Sequence, residues 1–508
     1  MYSQKSIAEK KALFAHLLKR EGLDRLQTIT RRSDLREAPL SYAQRRLLFL
    51  QQLEPDSPAY NVPQVFRLTG KLNISVLERT LSEIVRRHEV LRTTFHVNGD
   101  EHLQVTHSSY DVSVPVIDLE HWPEVEREAE VQRFAVAEAR HPFDLEHGPL
   151  LRAKLLRLGV EEHVVLFTLH HIVSDGWSTG LLVSEVQTLY TAYSEDRPSP
   201  LPELPIQYAD YARWQRDWFK GAVFERQLAY WRERLRGAPT TLTLPPDRPR
   251  PAPRKFRGET HSVRFSAEVS GELRRISREQ GTTLFMTMLA AFDILLSYYT
   301  KQTDIVIGTP VGGRMRAETE PLIGFFINTL VLRGDLSGDP TFLELLQRVK
   351  NDLLGALAHQ DVPFEKLVEE LQPERNLSYT PLFQVSFTLQ KAQRTGITLP
   401  GLTLAPIGTT RGTTQYDLAM NLIDAEFEIA GMLEYDTDLY DGETILRMIK
   451  RFELLLSGLV ASPSARLSEL LAPLAAADAE QEKANEQQYQ EFVTRKLAHT
   501  KRRGIRVS

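Results

Sequence analysis

The segment Leu169–Ser178, "LHHIVSDGWS", places two adjacent histidines at the end of an apolar run, followed by an acid and a glycine. Three interpretations are open: a catalytic base, a metal site, or two histidines that cap a buried strand. Side chains alternate between the two faces of a strand, so His170 and His171 are expected to point in opposite directions. This disfavours a shared metal ion, which would also need further ligands nearby. From spacing alone the structural role remains favoured over the base, because most buried polar groups serve packing and hydrogen bonding.

The residues after the histidines predict a turn from a strand into a helix. Ser174 or Asp175 can cap that helix. Gly176 suits a turn where a side chain would clash or where a substrate must come close to the backbone. His171 would then lie at the mouth of a sheet, where an imidazole with an ordinary pKa of about 6.5 can accept a proton near neutral pH. Asp175 could pair with an arginine or orient the imidazole.

Composition limits the classes of protein to which the chain can belong. The 508 residues are 42% hydrophobic and 25% charged, which is typical of globular domains with a large core. The formal net charge of −5 does not favour a nucleic-acid surface. The apolar runs are strand-sized and the N-terminus lacks a signal-peptide pattern, so neither a membrane nor secretion is expected, and the predicted location is cytoplasmic. The chain has no cysteine, which excludes disulfides, thiolate nucleophiles and cysteine-ligated zinc.

The pattern of strands and helices predicts two α/β lobes of similar size. In each half a helix follows a strand and returns to one, which indicates a weak internal duplication. Proline-rich stretches near 195–211 and 245–259 are typical of linkers. The predicted divisions are an N-terminal helix and linker over 1–36, with the helix at 5–22, an N-terminal lobe over 37–215, a C-terminal lobe over 216–475, and a tail or linker over 476–508.

Segment 169–178 resembles the His-His-x-x-x-Asp-Gly motif of nonribosomal peptide synthetase condensation domains. Further motifs of that family occur in family order between about 37 and 475. They are "SYAQRRLLFL" (Ser41–Leu50), "RHEVLRTTF" (Arg87–Phe95), "YADYARWQ" (Tyr208–Gln215), "IGFFINTLVLR" (Ile323–Arg333), "HQDVPFEKLVEEL" (His359–Leu371) and "PERNLSYTPLFQVSF" (Pro373–Phe387). Leu48 replaces a usual aromatic, and Tyr379 stands where arginine is frequent. Seven motifs in order make the resemblance specific, and it shifts the balance for His171 towards the base.

The resemblance implies a fold and a reaction. The expected fold is two chloramphenicol-acetyltransferase-like lobes in a V-shaped pseudo-dimer with a tunnel between them. Donor and acceptor peptidyl carrier proteins would each bring a phosphopantetheine arm to the tunnel. The acceptor's amine would attack the donor's thioester, forming an amide. No cofactor would be bound covalently and no metal is expected, and neighbouring synthetase domains would supply activation and carrier functions.

The resemblance also assigns roles to residues. His171 would deprotonate or position the attacking amine, and these two roles remain open. His170 and Asp175 would be structural, with Asp175 paired to an arginine. Arg314 is the first choice for that partner and Arg92 the second.

Four further residues complete the predicted site. Gly176 would keep the tunnel open near the reacting carbonyl. Asn328 would line the site from the C-terminal lobe, although a capped strand end is an equally good interpretation. Ser174 and Trp177, which flank the acid and the glycine, are expected to bind substrate or to be structural.

The motifs most resemble the subtype that joins an L-configured donor to an L-configured acceptor. Two alternatives to plain condensation remain open. One is a non-catalytic domain that recruits a tailoring enzyme, and the other is a condensation domain that also modifies the bound residue, for example by dehydration.

Overall fold

A computed structural model describes residues 28–503, except 35, 100, 220, 253, 374–377, 393–397 and 410. The helix predicted over 5–22 lies outside these residues. The helices are α1 (Tyr42–Leu53), α2 (Ile74–Arg87), α3 (Glu124–Arg140), α4 (Gly176–Ser194), α5 (Tyr208–Trp218), α6 (Ala222–Arg234), α7 (Ala267–Glu279), α8 (Leu284–Thr300), α9 (Phe342–Ala358), α10 (Phe364–Leu371), α11 (Gly442–Ala461) and α12 (Leu467–Arg503).

The strands form two large sheets and one small one. They are β1 (Glu37–Pro39), β2 (Asn61–Gly70), β3 (Thr93–Asn98), β4 (Glu101–Thr106), β5 (Val116–Asp118), β6 (Leu151–Gly159), β7 (Glu162–His170), β8 (Gly258–Phe265), β9 (Asp304–Val311), β10 (Asn328–Asp335), β11 (Val385–Lys391), β12 (Thr398–Leu399), β13 (Leu402–Pro406), β14 (Leu418–Asp424) and β15 (Ile429–Asp436). The six-stranded sheet β12-β13-β2-β7-β6-β5 defines what we call the N-lobe, and the six-stranded sheet β10-β9-β11-β14-β15-β8 defines the C-lobe. A three-stranded sheet, β1-β4-β3, completes the set.

Strand β7 lies in the middle of the N-lobe sheet and alternates its side chains as the sequence predicts. It pairs antiparallel with β2 on one side and β6 on the other. Val164 and Leu166 pack in the apolar cluster that contains α3, whereas Phe167 and Leu169 pack in the larger cluster that contains α2 and α4. Both faces of the strand are covered, so its register at the histidine end is firmly set.

Helix α2 illustrates how local sequence builds the N-lobe. The Asn73 side chain caps it by accepting the Val76 N–H at 3.1 Å. The apolar residues Leu77, Leu81, Ile84 and Val85 have the i, i+4, i+7, i+8 spacing that predicts one face of a helix, and all four are buried. Burying each such side chain contributes roughly 1.5–3 kcal/mol, so this face fixes α2 in the lobe.

The C-lobe is built around α8, whose side chains are nearly all buried. Helices α7, α9 and α11 pack around it, and α9 also covers β10. In the described part of the chain no single helix is long and apolar enough to cross a membrane. Helices α7 and α8, bent by 110° at their break, have sufficient length and apolarity only as a pair.

Two segments from the second half of the chain pack in the N-lobe. Strand β13 pairs antiparallel with β2 over residues 402–406, and β12 extends the same edge. Leu322, Ile323 and Phe326 join the apolar cluster of α2 and α4. The predicted boundary between the two lobes, at residues 215 and 216, stays a prediction. The two segments described above come from the predicted C-terminal lobe but pack in the N-lobe. At the other end, α12 continues through most of the predicted tail to Arg503.

Candidate active site

The two histidines lie where β7 ends and the chain turns towards α4. His170 is the last residue of β7, and His171 starts a short 3-10 turn, His171–Val173. The His171 N–H donates to the Tyr60 carbonyl at 2.8 Å. Asp175 then caps α4 by accepting the Ser178 N–H at 2.7 Å. The strand, the turn and the cap together fix the backbone on both sides of His171.

The imidazole of His171 has one nitrogen engaged and the other open. Nδ1 lies 2.6 Å from the Ser174 carbonyl, which can only accept, so Nδ1 carries the hydrogen. Within the described part of the chain no hydrogen bond occupies Nε2. The Phe325 ring, from the C-terminal half, packs edge-on against the imidazole at 4.9 Å between centroids. This tautomer leaves the Nε2 lone pair available to a substrate proton.

The surroundings of His171 keep its imidazole neutral. Removal from water is the main cause that lowers the pKa of His171 below the ordinary 6.5, and the positive charge of Arg411 lowers it further. The hydrogen bond to the Ser174 carbonyl and the charge of Asp175 act in the opposite direction. A neutral imidazole near pH 7 is the form that can accept a proton.

His170 has the opposite tautomer and no access to solvent. Its Nδ1 accepts the Ile172 N–H at 3.1 Å, so its hydrogen is on Nε2, which is buried without a partner in the described part of the chain. The rings of Phe143 and Tyr60 lie 5.8 and 6.3 Å from it. Burial lowers the pKa of His170 to about 3, so it stays neutral and takes no part in proton transfer.

The Asp175 carboxylate is buried and accepts from several directions. Oδ1 accepts from the Ser178 N–H and hydroxyl, both at 2.7 Å, and from Nη2 of Arg314 at 3.2 Å. Oδ2 accepts the Phe326 N–H at 3.0 Å. Asp175 therefore ties the turn of the N-lobe to residues 322–326, which we call the crossing segment because they arrive from the C-terminal half of the chain.

Arg314 completes this network. Its Nη1 donates to the carbonyls of Thr319 and Leu322 at 2.5 and 2.7 Å, and its Nη2 donates to the Ser178 hydroxyl at 2.8 Å. The guanidinium carbon lies 3.9 Å from the centre of the Phe326 ring. The structure thus brings together Asp175 and Arg314, the first-choice pair.

The second-choice partner does not reach the acid. Arg92 ends the 3-10 turn Glu89–Arg92 and donates to the His107 carbonyl instead of contacting Asp175. Ser174 contributes its carbonyl to His171 rather than its hydroxyl, which is buried without a partner in the described part of the chain. The Trp177 ring is 47% exposed, and its Nε1 donates to the Glu320 carbonyl at 3.0 Å.

Gly176 faces open space. A methyl group built on its Cα would meet no atom within 4 Å, so the alternative that a side chain would clash with the protein is wrong. The other alternative, close approach of a substrate, stays a prediction. The glycine that packing does require is Gly324, where a Cβ would lie 2.0 Å from the ring of Tyr208.

Asn328 uses its whole side-chain amide on the backbone. Nδ2 donates to the carbonyls of Gln360 and Val362, both at 2.7 Å, and Oδ1 accepts the N–H groups of Thr329 and Phe364 at 2.9 and 3.0 Å. This is the capped strand end rather than a polar group offered to a substrate. Asn328 does line a pocket, which shares Phe325 with the site but does not include His171.

Three contacts of the site were not singled out from the sequence. Phe325 lies in the motif "IGFFINTLVLR", which could have suggested it, whereas no pattern marks Tyr60 or Arg411. Arg411 donates to the carbonyls of Ala59 and Asn61 at 3.1 and 2.9 Å, next to the residue that anchors His171. As for metals, no group of three or more His, Asp or Glu side chains among the described residues could hold an ion.

Comparison with known proteins places this geometry in a family. The family described as "Condensation domain" matches residues 35–483. The chain belongs to the condensation-domain family. Condensation domains of nonribosomal peptide synthetases catalyse peptide-bond formation, an acyl transfer, so the predicted family and enzyme class are confirmed.

A curated relative supports the synthetase assignment. The condensation domain is 48% identical over 445 residues, or 87% of its length, to one of the linear gramicidin synthase proteins of Brevibacillus parabrevis. It spans only 6% of that relative's length. The domain is thus similar to one part of a much longer synthase.

Solved structures share the two-lobed fold. The X-domain in its complex with OxyB from teicoplanin biosynthesis is 29% identical, with a TM-score of 0.80 over 87% of this chain and 98% of that chain. A four-domain nonribosomal peptide synthetase bound to AMP and glycine is 25% identical, with a TM-score of 0.77 over 88% of this chain and 35% of that one. The predicted α/β fold of two chloramphenicol-acetyltransferase-like lobes is confirmed.

Proposed function

We propose that this condensation domain joins a donor acyl or peptidyl group to the amine of an acceptor aminoacyl group, both held as thioesters on the phosphopantetheine arms of carrier proteins. The acceptor nitrogen attacks the donor carbonyl carbon, the donor C–S bond breaks, and an amide forms. The donor thiol leaves, and the lengthened chain remains on the acceptor arm. Both sulfurs come from the arms, in agreement with the absence of cysteine from the chain.

The observation that carries the proposal is the open Nε2 of a neutral His171. With Nδ1–H donated to the Ser174 carbonyl, Nε2 can accept a hydrogen bond from the acceptor amine and so orient its lone pair. As the C–N bond forms, the amine nitrogen becomes acidic and its proton passes to Nε2. The same proton can then go to the departing thiolate, which leaves His171 neutral again.

Four other residues of the predicted site support this step without touching the reacting atoms. Asp175 and Arg314 hold the turn against the crossing segment, and His170 fills the core beneath it. Gly176 leaves the space in front of the turn free for the thioester. These roles, the subtype for L-configured donor and acceptor, the division at 215/216 and the cytoplasmic location stay predictions.

The alternatives are less well supported. Recruitment of a tailoring enzyme would not require an open imidazole, and identity to the X-domain that is solved with OxyB is 29%, against 48% for the linear gramicidin synthase protein. Dehydration of the bound residue uses the same carriers and differs in the mass of the product.

The proposal is tested by mixing the domain with an aminoacyl-loaded donor carrier and an aminoacyl-loaded acceptor carrier, and weighing both carriers intact. Condensation adds the donor residue to the acceptor carrier and empties the donor arm. A product lighter by one water would instead establish added dehydration. Unchanged carriers across a panel of loaded residues, from a folded protein, would contradict the proposal.

A further inference from the structure

We propose that Arg411, a residue outside the family motifs, is a positioning residue for His171: it holds the backbone segment Ala59–Asn61 on which the catalytic turn rests. The inference builds on the proposed role of His171 in amide formation. Through Arg411, the C-lobe would help to set the position of the His171 imidazole.

The carbonyls of Ala59, Tyr60 and Asn61 accept hydrogen bonds from Arg411 and His171. Nη1 of Arg411 donates two hydrogen bonds, to the Ala59 carbonyl at 3.1 Å and to the Asn61 carbonyl at 2.9 Å. The carbonyl between them, that of Tyr60, accepts the His171 N–H at 2.8 Å. Ala59 and Tyr60 lie in the turn that leads into β2, which the Asn61 N–H closes by donating to the Pro58 carbonyl at 3.0 Å. The guanidinium and the His171 backbone therefore hold three successive carbonyls of the same short segment.

Arg411 reaches this segment from a loop that is anchored in the C-lobe. Gly258, the first residue of β8, donates its N–H to the Gly412 carbonyl at 3.1 Å, and Arg257 forms a bridge with Thr413. The loop also lies close to the N-lobe at α3, since a Cβ on Gly412, whose φ is +71°, would be 2.8 Å from Nη2 of Arg140. Movement of the C-lobe relative to β2 would therefore be passed through Arg411 to Tyr60 and His171.

The charge of Arg411 acts on the same imidazole. It disfavours the protonated form of His171, together with burial, and so lowers its pKa. The other charged or titratable groups that influence the ring are Asp175, which raises that pKa, and His170, which is neutral. Arg411 thus has two separable effects, one through its hydrogen bonds and one through its charge.

The experiment compares Arg411→Ala, Arg411→Lys and, as a matched control, Arg264→Ala, whose side chain is 73% exposed and pairs with Glu428 at 3.1 Å. Three quantities are measured on the whole chain: the pH titration of the His171 imidazole by NMR, assigned with His171→Ala; hydrogen exchange of the peptide containing residues 169–173; and single-turnover transfer between loaded carriers.

Arg411→Ala is expected to move the His171 titration to higher pH, to speed exchange of the peptide at least tenfold, and to slow transfer about tenfold, since a small misplacement of a catalytic group is costly. Arg411→Lys keeps the charge, but its shorter side chain does not bring a planar NH2 group to both carbonyls, so exchange and transfer should change while the titration stays near that of wild type. Arg264→Ala should match wild type throughout. An unchanged titration and unchanged exchange in Arg411→Ala would overturn the inference, whatever the transfer assay gives. Normal transfer by His171→Ala would instead refute the proposed function.

Discussion

His170 and His171 are adjacent in sequence, but the buried pocket around the first and the open space around the second give them opposite chemistry. In the pocket, His170 accepts a backbone N–H at Nδ1, is 1% exposed, and has a pKa lowered to about 3. In the space between β7 and the crossing segment, His171 donates from Nδ1 and keeps Nε2 open. Backbone partners select the tautomer of each ring, and burial keeps both rings neutral, so two identical side chains become a core residue and, where Nε2 is open, a base.

The largest loss of stability is expected when the pair of Asp175 and Arg314, which ties the crossing segment to the turn, is broken. Arg314→Ala leaves the Asp175 carboxylate buried without its cation and should reduce the free energy of unfolding by about 3–5 kcal/mol. Urea unfolding measures this. The control is Arg264→Ala, which removes a pair with Glu428 at 3.1 Å from an arginine side chain that is 73% exposed, and it should cost less than about 1 kcal/mol. Equal losses in the two variants would show that the tie is not structural.

An effect of intermediate size is expected at acid pH, where the buried His170 should reduce the stability of the folded protein. The pKa of His170 is about 3 in the folded protein, below the 6.5 of an ordinary histidine. Between these values the unfolded chain binds a proton that the folded one does not, so stability is lost as the pH falls from 6.5 towards 3. From pH 6.5 to 5 this loss should be about 1.5 kcal/mol.

His170→Asn, in which an amide oxygen can replace Nδ1 as the acceptor, isolates this contribution. Urea unfolding at both pH values should show a smaller acid loss in the variant than in wild type. Identical acid losses would mean that His170 titrates normally in the fold.

The smallest change in stability is expected in front of the turn. Gly176→Ala adds a methyl group where no protein atom lies within 4 Å, so stability should change by less than about 1 kcal/mol, while transfer slows because the substrate approaches there. Gly271→Ala, in α7, also has open space around it and serves as the control. Unimpaired transfer by Gly176→Ala would remove the glycine from the proposed path.

Sequence predicted those parts of the fold that depend on local pattern. The stripe of α2, the alternation in β7 and a cap at Ser174 or Asp175 each follow from neighbouring residues, and the structure places the cap at Asp175. The repeated order of strands and helices indicated two lobes, and the family motifs added their chloramphenicol-acetyltransferase-like arrangement. The family resemblance also suggested Arg314 as the partner of Asp175, 139 positions away.

Contacts that depend on distant backbone could not be predicted in the same way. The pairing of β13 with β2 joins residues more than 300 positions apart and has no local signal. Asn328 could be placed at a strand end or in the site, and only the positions of four backbone groups, from Thr329 to Phe364, decide between them. Arg411 lies in a loop of ordinary polar composition, and its contact with Ala59 and Asn61 arises from how the lobes meet.

The most direct test of the central claim compares single-turnover transfer by wild type, His171→Ala and His170→Asn with identically loaded carriers. Loss of a proton acceptor typically costs a factor of about 10²–10⁴, so His171→Ala should slow transfer about a thousandfold while urea unfolding shows that the variant remains folded. His170→Asn should lose stability but keep transfer within about tenfold of wild type. Wild-type transfer by folded His171→Ala would contradict the account.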